Sequence, residues 1–308
     1  MNIWVDANGW PIPPLILLGC LLAESLFYRG WRKLLAELET EEAAETRYLP
    51  SYSGFEAADM RRSTWIWRGT FFLAAIVTFL LAASAPIDNL SSQLFWVHMI
   101  QHLLLLIIVT PLLVASAPLL PLWLGLPEWG RNCFKALANL RAARILYALG
   151  SWLRQPVISC ALFLIGIWIW HWPYLYDLAL TNDLIHDWCE HTIFLVVSLF
   201  FWSQIIPSAP FRPQLGYLGR LGCVGFAIIQ NLVLAVLLGF APAPLYAPYI
   251  HLNTLPGSLT TLQDQQFGAG FMWTFGDIPF GIALAILIQR WLATQSGETG
   301  QETQETPG

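Results

Sequence analysis

The sequence predicts an all-α, polytopic transmembrane helical bundle of about seven spans, and three observations carry that reading. Of its 308 residues, 56% are hydrophobic, 14% aromatic and only 11% charged, with a mean hydropathy of +0.56. That is too apolar for a soluble domain of this length. The apolar residues fall in separate continuous runs that approach or exceed the roughly 18–20 residues a helix needs to cross about 30 Å of hydrocarbon. They do not alternate with polar residues, as the strands of a membrane barrel would. Many of the 16 tryptophans sit near run ends (Trp31, Trp96, Trp172, Trp202, Trp291), where interfacial belts form.

Taken in order, the spans read as 11–29, 64–84, 93–117, 155–173, 184–204, 218–241 and 264–290, to within a few residues at each end. Residues 1–292 form a single transmembrane bundle. Met1 to Trp10 lacks the positive region of a cleavable signal, so the first run is expected to be retained as a helix. Residues 33–62, with Glu37, Glu39, Glu41, Glu42 and Glu45, read as an acidic cytoplasmic loop. Residues 121–154 mix apolar and basic side chains and read as an interfacial cytoplasmic connection of one or two amphipathic helices. The Gly, Gln, Glu and Thr of 293–308 predict a disordered cytoplasmic tail. Gly216, Gly219, Gly222 and Gly225 along the sixth span are explained by close helix packing.

Orientation follows from the lysines and arginines, which short translocated loops disfavour. Seven (Arg29, Arg32, Lys33, Arg47, Arg61, Arg62, Arg68) follow span one. Five (Arg131, Lys135, Arg141, Arg144, Arg154) follow span three, Arg212 and Arg220 follow span five, and Arg290 closes span seven. The connections near 85–92, 174–183 and 242–263 carry none. The amino terminus is therefore expected outside and the carboxyl terminus in the cytoplasm. The net charge of -5 reflects acids gathered in one loop and the tail, and no basic surface suggests nucleic acid. Cys20, Cys133, Cys160, Cys189 and Cys223 show no CxxC spacing, which argues against a disulfide framework.

All six histidines fall on the outer side of this map. His98 and His102 open span three, His171 ends span four, His186 and His191 open span five, and His251 lies in the last external loop. Two histidines four apart on a helix share a face, so both imidazoles can point at one ligand. Imidazoles on three helices, with Met99, Cys189, Asp187 and Glu190 nearby in sequence, make a candidate transition-metal site. Imidazole suits copper and zinc, and sulfur neighbours tilt the choice toward Cu(I). Helical spacing sets His186 beside Cys189 and Glu190, and Asp187 beside His191. The plain alternative is a set of interhelical hydrogen bonds, which membrane bundles commonly use. His251, among Pro248, Tyr249 and Asn253, reads as a loop residue.

Asp264, Gln265 and Gln266 at the start of span seven are explained by the helix dipole and the interface, or they close the outer site as further ligands or hydrogen-bond partners. Asp277 lies about thirteen residues on, deep in the bilayer at 1.5 Å each. A lone carboxylate there is costly. It is expected protonated or paired with Gln230 or Asn231, with an intramembrane proton-path role as the functional alternative.

The runs HMIQHLLLLIIVTPLLVASAP, WHWPYLYDLAL, the following H....EH, FAPAPLYAPY and DQQFGAGFMW occur in this order over roughly residues 65–291. Together they resemble the CtaG family of bacterial cytochrome c oxidase assembly factors. The resemblance implies a multi-pass protein of the bacterial inner (plasma) membrane, needed to build active terminal oxidase and with a proposed role in supplying copper to it. By position, His98, His102, His171, His186, Glu190, His191 and the Asp264–Gln266 cluster match the family's polar positions. Gly276-Asp277 departs from the Gly-Gly expected there.

The expectation is thus a non-catalytic assembly factor and chaperone that binds copper, as Cu(I), at the outer face. It would pass the ion to cytochrome c oxidase subunits or exchange it with other copper chaperones. Two other classes compete: a transporter of copper or protons, and a haem-binding electron carrier using two outer histidines. Zinc also suits the imidazoles, but an intramembrane zinc hydrolase lacks support, since no HExxH and no nucleophile motif accompanies them.

Overall fold

The computed structural model describes residues 10–43, 55–182, 184–250 and 259–302. Among these the regular structure is entirely helical: α1 (Pro14–Ala43), α2 (Arg62–Ala82), α3 (Ala85–Ser91), α4 (Phe95–Ser116), α5 (Leu119–Gly125), α6 (Glu128–Ala138), α7 (Arg141–Leu153), α8 (Pro156–Trp170), α9 (Pro173–Leu180), α10 (Leu184–Ile205), α11 (Tyr217–Gly239), α12 (Ala247–Ile250) and α13 (Thr261–Glu302). Five are long and apolar enough to cross a membrane: α2, α4, α10, α11 and the Thr261–Gln295 part of α13. These match five of the seven expected spans. The run expected at 155–173 becomes α8, whose 15 residues rise only about 22 Å, and it meets α7 at a bend of 84° beside Pro156. The run expected at 11–29 forms the first half of α1, where Glu24 and Arg29 interrupt the apolar residues.

Three connections differ from expectation or give it detail. The segment 33–62 begins as helix rather than loop, because α1 continues to Ala43. Leu34 and Leu38, one turn apart, are buried there against Met60 and Trp65. Residues 44–54 lie outside the described residues. The connection at 121–154 contains α6 and α7, with large apolar side chains exposed on both, among them Trp129, Phe134, Ile145, Leu146 and Trp152. At the tail, α13 runs on to Glu302, past the point where disorder is expected. A formed helix extends more readily than one nucleates.

The core lies between α4, α8, α10, α11 and α13. Phe163, Phe201, Trp202 and Phe280 stack there, with the Trp202 and Phe280 rings 5.2 Å apart and 6° from parallel. On the other flank α1 crosses α5 so closely that a Cβ at Gly30 or Gly125 would stand 1.8 Å from the carbonyl oxygen of Pro121 or Leu26. Only glycine allows that approach.

At the end of the bundle where α2 starts, buried charges find partners. Asp59 accepts from Arg68 at 2.7 Å and also pairs with Arg212. Arg154 donates to the Arg212 carbonyl at 3.1 Å, and Arg220 to that of Ile205. The opposite end, where α4 and α10 start, carries the histidines.

Candidate metal centre

α4 brings His98 and His102 into the core one turn apart, their rings 4.2 Å from centroid to centroid. Its rotation is set at its first turn by α13. Asp264 accepts from the Phe95 N–H at 2.7 Å and the Trp96 N–H at 3.3 Å, satisfying two of the donors every helix start leaves over. Gln101 donates to the Ala82 carbonyl at 3.0 Å and to Asp88 at 3.2 Å, tying α4 to the end of α2.

Directly after His102 the helix widens into a π turn, Leu104–Val109. Pro111 offers no N–H to the turn before it. The Leu106 carbonyl instead accepts from Thr110 Oγ1 at 2.7 Å and, across the interface, from Ser198 Oγ at 2.5 Å and Trp202 Nε1 at 3.0 Å. These bonds dock α10 on α4.

α10 itself opens with a π turn, Leu184–Glu190. Its i→i+5 spacing brings residues four and five apart onto one face and turns the residue three along away. His186, Glu190 and His191 therefore face the bundle together, while Cys189 is exposed. This corrects the α-helical reading, which set Cys189 beside His186 and His191 on another face.

The result is a compact donor cluster. One ligating atom from each of His98, His102, His186 and Glu190 lies within 4.8 Å of all the others, and all four residues are buried. His102 Nε2 stands 3.6 Å from Glu190 Oε1. His191 borders the cluster, its ring 4.4 Å from His186 and 5.6 Å from His102, and forms a second triad with His186 and Asp187. The ring nitrogens of His102, the Nε2 atoms of His186 and His191 and both oxygens of Glu190 make no hydrogen bond, and His98 has beside it the Ser91 carbonyl, which accepts from Tyr249 at 2.8 Å. His186 Nδ1 donates to Asp187 Oδ1 at 2.9 Å, which leaves the lone pair on Nε2. A carboxylate holding a histidine in its ligating tautomer is a recurrent partner of metal sites.

The other expected site residues lie elsewhere. His171 caps α8 outside the cluster, Nδ1 bonded to the Ile167 carbonyl at 2.8 Å. Met99 is buried on the neighbouring face of α4, lining an internal chamber. Asp264 is used up as the cap of α4. Gln265 bridges the Leu245 N–H and the Leu238 carbonyl at 2.8 Å each, and Gln266 is exposed. Asp277 accepts from Asn231 Nδ2 at 2.9 Å, one of the two pairings expected for it. His251 lies outside the described residues.

The matching family model is the cytochrome c oxidase caa3 assembly factor family, over residues 54–294. The chain belongs to that family. Three uncharacterized mycobacterial proteins, from Mycobacterium bovis, Mycobacterium tuberculosis and Mycobacterium leprae, are each 22% identical to it over 240 residues. The match spans 78% of this chain but only 36% of theirs. No solved structure matches the chain significantly.

In this chain, three imidazoles and a carboxylate make a donor set that suits copper or zinc. Cys189 and Met99, whose sulfur favoured Cu(I) in the sequence, are not part of it. Four aromatic residues to which the sequence assigned no role pack together beside the cluster. Tyr176 lies 5.0 Å from His98, stacks on Tyr246 at 3.8 Å and shares a hydrogen bond with Tyr249 at 3.0 Å, and Phe95 packs on all three tyrosines. Burial pushes the three phenols upward from their ordinary range, so they remain neutral hydroxyls. The signal was the tyrosine spacing in WPYLYDL and PLYAPY, quoted for the resemblance without a role.

Proposed function

We propose that this chain is a non-catalytic assembly factor that holds a copper ion at His98, His102, His186 and Glu190 and hands it to a cytochrome c oxidase subunit. The observation that supports this is the convergence of four buried ligating groups, among which only His186 Nδ1 has a side-chain hydrogen-bond partner. Buried polar atoms left this way cost free energy, and a cation shared among them removes the cost. Glu190 supplies the negative charge that lets a cation sit at low dielectric. Three imidazoles and one carboxylate, without thiolate, suit an exchangeable cargo better than a closed cage.

With the basic residues at the opposite end, the cluster faces the outside of a bacterial inner membrane, where α1 and α8 add two crossings for seven in all. A transport reading needs polar lining through to the basic end. The chamber next to the cluster is instead lined mainly by apolar side chains, Phe163 and Phe280 among them, with Gln230 and Asn231 its polar members besides the histidines. A haem reading needs a slot for a macrocycle with two axial ligands; that chamber holds about 30 Å³, and the wider groove of about 550 Å³ beside α8 offers a single histidine, His171.

The test is elemental analysis of the detergent-purified protein with a visible spectrum, beside the His98→Ala, His102→Ala double variant. Copper in the wild type and loss of the outer-cluster ion in the variant is the expected result. Equal copper in both removes the ligand assignment, and stoichiometric iron with a haem spectrum, or zinc alone, replaces the cargo. Assembly itself is read as loss of oxidase activity in a deletion strain.

A further inference from the structure

Beside the histidine cluster, a small chamber of about 30 Å³ opens between α4, α8, α11 and α13. Its walls include Met99, His102, His171, Gln230 and Met272. The chain has only four methionines, and two of them, from different helices, line this one chamber with exposures of 1% and 3%. His171 donates through Nδ1 to the Ile167 carbonyl, so Nε2 carries the lone pair, the form in which imidazole ligates metals. That Nε2 is buried and makes no hydrogen bond. His102 lines the chamber and also belongs to the four-ligand cluster, and neither of its ring nitrogens is engaged.

We propose that this chamber is a second copper station, in which the thioethers of Met99 and Met272 and the imidazole of His171 hold Cu(I), reached from the outer cluster through His102. The inference rests on the copper reading of that cluster. Thioether sulfur selects Cu(I) over harder or dipositive ions, whereas the outer donor set of nitrogen and oxygen does not. The volume admits one ion or about one or two waters, and no larger group. Asn231 takes no part as a donor to the chamber: its amide is held by the Met272 carbonyl at 2.8 Å and by Asp277, which fixes Met272 against α11. The rival occupant is water, accepting from the unpartnered Gln230 Nε2 and donating to His171.

The purified full-length protein is titrated with Cu(I) under reducing, anaerobic conditions against a chromogenic chelator, and its copper edge is measured by X-ray absorption. The same is done for Met99→Leu with Met272→Leu, a nearly volume-conserving pair, and for His98→Ala. The wild type should bind about two ions and show sulfur scattering, and the methionine pair about one without it. The His98→Ala protein should keep the sulfur signal. One ion per wild-type chain with only nitrogen and oxygen neighbours overturns the second station, assigns the chamber to water and leaves the outer site standing. An unchanged sulfur signal in the methionine pair overturns it equally. No copper in any preparation overturns the outer site, and the second station with it.

Discussion

The two ends of α2 present buried polar groups in opposite conditions. Where the helix begins, Asp59 sits between Arg68 and Arg212, and Arg154 and Arg220 meet backbone carbonyls. Beyond its far end, His98, His102, His186 and Glu190 are as deeply buried and share no hydrogen bond. The first arrangement neutralises its charges internally and acts as a clasp between α2 and the loop after α10. The second leaves lone pairs pointing at one another, which is a stable arrangement only with a cation or proton among them. Burial alone therefore does not mark a site in a membrane bundle. Convergence of several unpartnered lone pairs does, since single unpartnered donors such as Arg68 Nη1 and Arg154 Nε occur at the basic end as well.

The largest effect that separates the two ends is on metal content: the His98→Ala, His102→Ala protein should lose the outer-cluster copper while still melting cooperatively in detergent, its midpoint lowered only by the two truncations in the core. Next, Asp59→Asn should lower stability by about 3 kcal/mol, because it leaves the Arg68 charge buried with its partner removed. Its copper content should be unchanged, and a fall in copper with an intact melt would break the division of roles. Glu190→Gln should do the reverse. Copper affinity drops about a hundredfold by competition titration, with no loss of metal-free stability, since no internal partner is stranded.

Asp187→Asn, which removes the acceptor that fixes the His186 tautomer, should weaken copper about tenfold. Near-wild-type affinity would show that the π turn alone positions the ring. Smallest of all, Ser198→Ala should cost about 0.6 kcal/mol in thermal unfolding, the usual size of an interhelical hydrogen bond in a membrane bundle. A change of several kcal/mol would mean that the Leu106 carbonyl depends on that hydroxyl rather than on Thr110 and Trp202.

Much of this was legible in the chain. Continuous apolar runs are a length measurement against the bilayer, so the five long helices could be read directly. The i,i+4 spacing placed His98 and His102 on one face, and the family motifs marked His186, Glu190 and His191. Other features depended on geometry that spacing rules do not carry. The π turn at Leu184–Glu190 changed which neighbours His186 keeps, exchanging Cys189 for His191. Asp264 reads as an ordinary acid at the start of its own helix, yet it caps α4, 169 residues away in sequence. His171 and Met99 belong by sequence to the same polar set as the cluster, and packing of α8 and α13 puts them on the chamber instead.

The sequence by itself determined that the chain is a helical membrane protein and which side chains are costly to bury there. Both follow from composition and local periodicity, which the solvent reads residue by residue. Tertiary structure decided which of those side chains meet. A ligand set is made of atoms from several helices within a few ångströms, and that depends on the rotation and register of α4, α10 and α13. Those are set by contacts between residues far apart in the chain: Asp264 on α4, the Leu106 carbonyl under α10, and Asn231 on α13.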